Sequence, residues 1–134
     1  MPDLAAKKQR PLWYNLSLLN LPVPGLVSIF HRVSGALLFL GLIWFLFLLD
    51  MSLASESGFA RFRAYVGHPL VKLSMLVLLW AFLHHLCAGV RHLFLDIQVG
   101  VELKAARRSA FAVFAVSLAL TALIAARLDR KSVV

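Results

Sequence analysis

The chain has 134 residues, of which 61% are hydrophobic and only 15% charged, and its formal charge is +8. A soluble domain of this size would carry a charged fraction near one quarter, and an excess of basic residues in such a domain would suggest nucleic acid. Here the apolar residues run in long blocks with the basic residues at their ends, which excludes both readings and points to a bilayer.

Residues 1–25 read as a surface lead-in. Lys7, Lys8 and Arg10 are basic, Trp13 and Tyr14 suit a membrane interface, and Pro11, Pro22 and Pro24 interrupt any helix. The first span is predicted at about 26–50, and its stretch 33–49 holds no Asp, Glu, Lys or Arg. Its opening turns are polar. Ser28, Arg32 and Gly35 share one face by the i, i+4, i+7 rule, and His31 lies beside them. Arg32 is long enough to snorkel to headgroups, but a serine, a histidine and an arginine converging beside a glycine favour a ligand contact. No cleavable leader is expected, because cutting after Ser52-Leu53-Ala54 would discard this cluster.

Residues 50–68 read as a polar connection, with Asp50, Glu56, Arg61 and Arg63. Gly67 and Pro69 mark the start of a second span at about 68–96. Its last turns read His84-His85-Leu86-Cys87-Ala88-Gly89-Val90-Arg91-His92-Leu93-Phe94-Leu95-Asp96. Ionisable residues inside a span are costly and point to function. At about 100° per residue, His85, Gly89, His92 and Asp96 fall within about 60° of one another, while His84 and Arg91 point elsewhere. Cys87 is the only cysteine, so no internal disulfide can form.

A charged connection at 100–108 leads to a third span at about 108–127. Ser117 and Thr121 within it are assigned to helix packing rather than to a ligand. The fold class expected is an all-α integral membrane protein with three spans, one domain over 1–134, contributing to a heteromeric bundle. Three helices offer few faces against which to bury polar groups, so the intramembrane polar residues are expected to meet another subunit. Lys and Arg number six on the N-terminal side and five on the other. Adding Arg32 and Arg91 strengthens the assignment of the N-terminus to the inside. The polar start of the first span and the polar end of the second then share one membrane face.

His85 lies 11 residues before Asp96, hence about 16 Å deeper along the helix. A neutral imidazole at that depth suits a haem iron, and Gly89 leaves room for a flat ring. Arg91 and His92, with His31, would meet the propionates nearer the surface. The residues also allow His85 to be a helix-packing hydrogen bonder, and His84 is its neighbour by position. His31 should lie several ångströms nearer the surface than His85, so a second axial ligand would come from a partner. Ser28 and Arg32 can donate hydrogen bonds to a quinone carbonyl, and Asp96 would orient the arginine or relay protons.

These stretches resemble a known family. Lys8-Gln9-Arg10-Pro11, then Ser28-Ile29-Phe30-His31-Arg32-Val33-Ser34-Gly35, then His85 to His92 followed by Asp96, are similar in order and spacing to the cytochrome b membrane-anchor subunit (the C subunit) of succinate dehydrogenase, respiratory complex II. The resemblance implies that His85 is the axial ligand of haem b, with the other ligand supplied by the D subunit. It places the quinone contacts on Ser28 and Arg32, and His31 beside the propionates. It also implies docking of a flavoprotein and an iron–sulfur subunit, with electrons passing from succinate to ubiquinone. Trp13-Tyr14-Asn15 departs from the Ser-Pro-His of mitochondrial-type members, which favours a bacterial protein of the cytoplasmic membrane with its N-terminus cytoplasmic. Without flavin or cluster motifs, the chain alone is expected to oxidise no succinate. The alternatives are a b-type cytochrome subunit of another membrane dehydrogenase, or a cofactor-free membrane adaptor.

Overall fold

A computed structural model describes residues 21–132, so the expectations placed on 1–20 lie outside the described residues. Four helices follow in order: α1 over Val23–Ala54, α2 over Glu56–Gly67, α3 over Pro69–Asp96 and α4 over Leu103–Ser132. Three of them, α1, α3 and α4, are long and apolar enough to cross a membrane. At 32 residues, α1 is about 48 Å long, more than the ~30 Å hydrocarbon core.

Helix α1 begins at Val23, not after the prolines. Pro22 stands in the extended N-cap position and Pro24 in the first turn. The first-turn N–H groups have no helical partner in any case, so proline there removes nothing. Residues 50–68 also differ from the polar connection expected. Twelve of them form α2, whose N-cap is Ser55, with Oγ accepting from the Gly58 N–H at 3.0 Å. Phe59, Phe62 and Val66 lie at i, i+3, i+7, a short amphipathic repeat. The α1–α2 corner is tight: a Cβ on Gly58 would lie 2.7 Å from the Met51 carbonyl oxygen. His68 caps α3 through Nδ1, which accepts from the Leu70 N–H at 3.3 Å, with Pro69 in the first turn. The connection from α3 to α4 turns through Gln98 and Gly100, both at positive φ (62° and 78°). α4 starts at Leu103, five residues before the expected span.

The three long helices pack on one another, and α2 lies against α1 and α3. Where they meet, the buried residues are small: Val27 of α1, Ala88 of α3, and Ala110 and Val113 of α4, with Val23, Cys87 and Phe114 packed around them. Gly41 brings α1 against Leu78 of α3, where an added Cβ would lie 2.8 Å from a Leu78 methyl. Ser117 and Thr121 are buried on the same inward stripe of α4. Their hydroxyls donate to the Phe114 carbonyl at 3.1 Å and the Ser117 carbonyl at 2.7 Å, within their own helix. Most large apolar side chains of α1, α3 and α4, such as Phe39, Phe47, Phe82 and Phe111, are exposed. In a membrane those faces meet lipid or other apolar helices, not water.

Candidate functional site

The start of α1 and the end of α3 come together at one end of the bundle, and three imidazoles meet there. The His31 and His85 rings stack with centroids 4.1 Å apart and planes 13° from parallel. His92 approaches His31 at 5.1 Å. All three are half-buried.

A glycine on each helix faces the histidine of the other, the approach at Gly35 being tight and that at Gly89 ordinary. A Cβ on Gly35 would lie 3.0 Å from His85 Cε1, so only a glycine lets that ring settle on α1. A Cβ on Gly89 would lie 3.5 Å from His31 Nε2. His31 Nε2 is thus the nearest side-chain atom to the gap at Gly89. His31 also lies level with His85, not nearer the surface.

The His85 ring is held at one nitrogen. Nδ1 lies 3.0 Å from the His31 carbonyl oxygen and 3.2 Å from Ser34 Oγ. A carbonyl only accepts, so Nδ1 carries the proton, and in the neutral ring Nε2 keeps its lone pair. Nε2 makes no hydrogen bond among the described residues. One nitrogen anchored by a carbonyl and the other bare is the arrangement a metal-ligating histidine requires. Among the described residues, no three His, Cys, Asp or Glu side chains converge to hold a metal ion by themselves. A group that brings its own equatorial ligands, such as a haem, fits this donor set better than a bare ion does. His31 lies flat against His85, and the stacked rings leave no gap between them for a macrocycle.

The remaining predicted residues divide. Ser28 is half-buried and Arg32 exposed, both in the opening turns of α1, and neither makes a hydrogen bond among the described residues. Asp96 is exposed and ends α3. Arg91 goes elsewhere. It is 7% exposed, and its Nε donates to Ser109 Oγ at 3.0 Å and its Nη2 to the Ala106 carbonyl at 3.3 Å. Both bonds tie α3 to the first turns of α4, so its reach is spent away from the imidazole cluster. The reason lies on the helix wheel, where Arg91 shares the inward stripe of Ala81, His84 and Ala88.

His84 occupies that stripe with no exposure at all. Phe30, Trp80 and Phe114 surround it, with centroids at 6.0, 5.2 and 5.0 Å. Among the described residues, neither ring nitrogen has a hydrogen-bond partner within 3.5 Å, and Trp80 Nε1 is likewise buried without one. Reading the sequence missed this box, and it missed Ser34 and Ser109 as the partners of His85 and Arg91. A serine 51 residues from its histidine, or 18 from its arginine, lies on a facing helix and carries no periodic signal of its own.

Three apolar helices with a histidine cluster at one end define a polytopic membrane protein with the donor set of a b-type cytochrome subunit. The family model for the succinate dehydrogenase/fumarate reductase transmembrane subunit matches residues 6–124. The chain is 36% identical over 110 residues to the succinate dehydrogenase cytochrome b556 subunit of Coxiella burnetii, covering 81% of this chain and 88% of that one. Against the cytochrome b556 subunit of Paracoccus denitrificans it is 34% identical over 118 residues, 85% of this chain and 88% of that one. Against the succinate dehydrogenase cytochrome b560 subunit of Reclinomonas americana the identity is 33% over 101 residues, 71% and 69% of the two chains. The chain therefore belongs to the succinate dehydrogenase/fumarate reductase transmembrane-subunit family, among the cytochrome b subunits of succinate dehydrogenase.

Proposed function

We propose that this chain helps bind haem b and ubiquinone in a succinate dehydrogenase, and anchors its flavoprotein and iron–sulfur subunits to the membrane. The observation that carries the reading is the His85 ring, anchored at Nδ1 by the His31 carbonyl and bare at Nε2. His85 would be one axial ligand, and a second anchor subunit would supply the other, because His31 lies stacked against His85. His31 and His92 are the cationic or hydrogen-bonding groups nearest that ligand, and they suit the propionates. Arg91 is left out of that role by its bonds to α4. A haem held there supplies a one-electron site inside the membrane.

For the quinone, the Ser28 hydroxyl and the Arg32 guanidinium are donors without a partner among the described residues. They are placed to hydrogen-bond a carbonyl oxygen while the tail stays in lipid. Reduction to the quinol takes up two electrons and two protons, and Asp96 supplies a carboxylate at the same end of the bundle to relay a proton. The peptide joining His31 to Arg32 serves both halves: its carbonyl accepts from His85, and its next side chain is the quinone donor. The N-terminus on the cytoplasmic side places these groups where the iron–sulfur subunit docks, in the reaction that links the tricarboxylic acid cycle to respiration.

The assembled complex tests this. His85→Ala should abolish its haem absorption, and an unchanged spectrum would sink the ligand assignment. Ser28→Ala and Arg32→Leu should lower quinone reduction by at least about tenfold, as expected when a hydrogen-bond donor to the reacting group is lost. Electron transfer from succinate to an artificial acceptor should persist. Equal loss of both activities would remove the quinone role.

A further inference from the structure

Among the described residues, the buried Ser34 hydroxyl is the one side-chain group hydrogen-bonded to the anchored nitrogen of His85. Ser34 is 2% exposed. Its single proton is committed, since Oγ donates to the His31 carbonyl at 2.9 Å. The hydroxyl rotor is thereby fixed, and an Oγ lone pair remains for the Nδ1–H of His85 at 3.2 Å. The same Nδ1–H reaches the His31 carbonyl at 3.0 Å. One N–H is thus shared between two acceptors that are themselves hydrogen-bonded to each other, all within one turn of α1. Gly35, the next residue, lets the ring approach that closely.

We propose that Ser34 is a positioning residue that fixes the orientation and donor strength of the His85 imidazole toward an axially bound haem iron. This rests on the reading of His85 as a haem ligand. Hydrogen bonds accepted from Nδ1–H push electron density toward Nε2 and make it the stronger donor. A stronger donor favours ferric over ferrous iron, so losing one of the two acceptors should raise the midpoint potential. The ring, held by the His31 carbonyl alone, also gains freedom to tilt. Outer-shell partners of metal-ligating histidines commonly contribute about 10- to 100-fold to metal retention, and with the carbonyl still in place the lower end of that range is expected.

The matched control is Ser117, another fully buried serine whose hydroxyl also donates to the carbonyl three residues before it, at 3.1 Å, with no histidine among the described residues hydrogen-bonded to it. In the assembled complex, Ser34→Ala should raise the haem midpoint potential, alter the low-spin ferric electron paramagnetic resonance signal and weaken haem retention about tenfold. Ser117→Ala should change none of these. A Ser34→Ala complex that keeps the wild-type potential and resonance signal, or a Ser117→Ala complex that shifts them equally, overturns the proposal. A separate readout needs no haem. In the complex assembled without haem, 15N resonances of the histidine rings should show His85 protonated at Nδ1. Protonation at Nε2 instead would overturn the proposed geometry itself. If Nδ1–H is seen but His85→Ala retains haem, the ligand assignment falls and Ser34 loses its role at iron with it.

Discussion

Helix α3 presents two faces that carry the same kinds of residue to opposite ends. Its inward stripe, Ala81, His84, Ala88 and Arg91, is buried against α1 and α4. The neighbouring face, His85, Gly89, His92 and Asp96, remains partly open. On the inward stripe, Arg91 is bonded within the chain, and His84 is enclosed by aromatic rings with both nitrogens unpaired. On the open face, His85 is anchored at one nitrogen and bare at the other, and Asp96 reaches the surface. A histidine and an arginine inside a span are therefore not functional by type alone. What separates them is whether an atom left without a partner is sealed inside the chain, as in His84, or stands on a partly open face, as in His85.

The largest contrast should come from the two adjacent histidines. His85→Ala should remove the haem spectrum of the assembled complex altogether. His84→Leu, close in volume, should keep it and change stability by only about 1 kcal/mol. It loses ring contacts but also removes two buried unpaired nitrogens. Haem loss in both would erase the distinction between the faces. Next in size is Arg91→Ala, expected to cost about 3 kcal/mol through the loss of charged hydrogen bonds in a buried site. Limited proteolysis of the α3–α4 connection and thermal inactivation of the complex would report it, with the haem spectrum intact at low temperature. Loss of haem as complete as in His85→Ala would return Arg91 to the propionates.

The two glycines sharpen the comparison further. Gly35→Ala sets a Cβ 3.0 Å from His85 Cε1, so the ring must shift, and the haem absorption band should move and weaken. Gly89→Ala makes only an ordinary contact, 3.5 Å from His31 Nε2, and the spectrum should be nearly unchanged. Equal effects would mean that the tighter contact at Gly35 does not set the position of the His85 ring. Smallest at the haem is Gly58→Ala. Its Cβ would meet the Met51 carbonyl at 2.7 Å and strain the α1–α2 corner by roughly 1–2 kcal/mol. That corner is at the far end of α1, so thermal stability should fall without any spectral change.

Much of the site was legible in advance because membrane helices obey strict periodicity. A span of about 20 residues without charge, interrupted by His31, Arg32, His85 and His92, already marked the polar end of two helices. The 100° rule separated His85 from His84 and placed His92 with it. The local rules that were misread were end effects. Pro24 breaks a helix interior but is tolerated in a first turn, and Ser55-Glu56 is a helix start whose cap is visible only once Ser55 Oγ meets the Gly58 N–H.

The amino-acid sequence alone determined the three spans, their apolar exteriors and the membership of His31, His85 and His92 in one polar end. These follow from the hydrophobic effect and from helical repeat, both properties of the chain by itself. Only the tertiary structure decided which atom meets which. It set His31 into the notch of Gly89 and His85 into that of Gly35, turned Arg91 to Ser109, and sealed His84 among Phe30, Trp80 and Phe114. Such contacts depend on the relative rotation and depth of two packed helices to within about an ångström. Residue spacing along either helix carries no information on that scale, because it is the packing of small residues between the helices that fixes it.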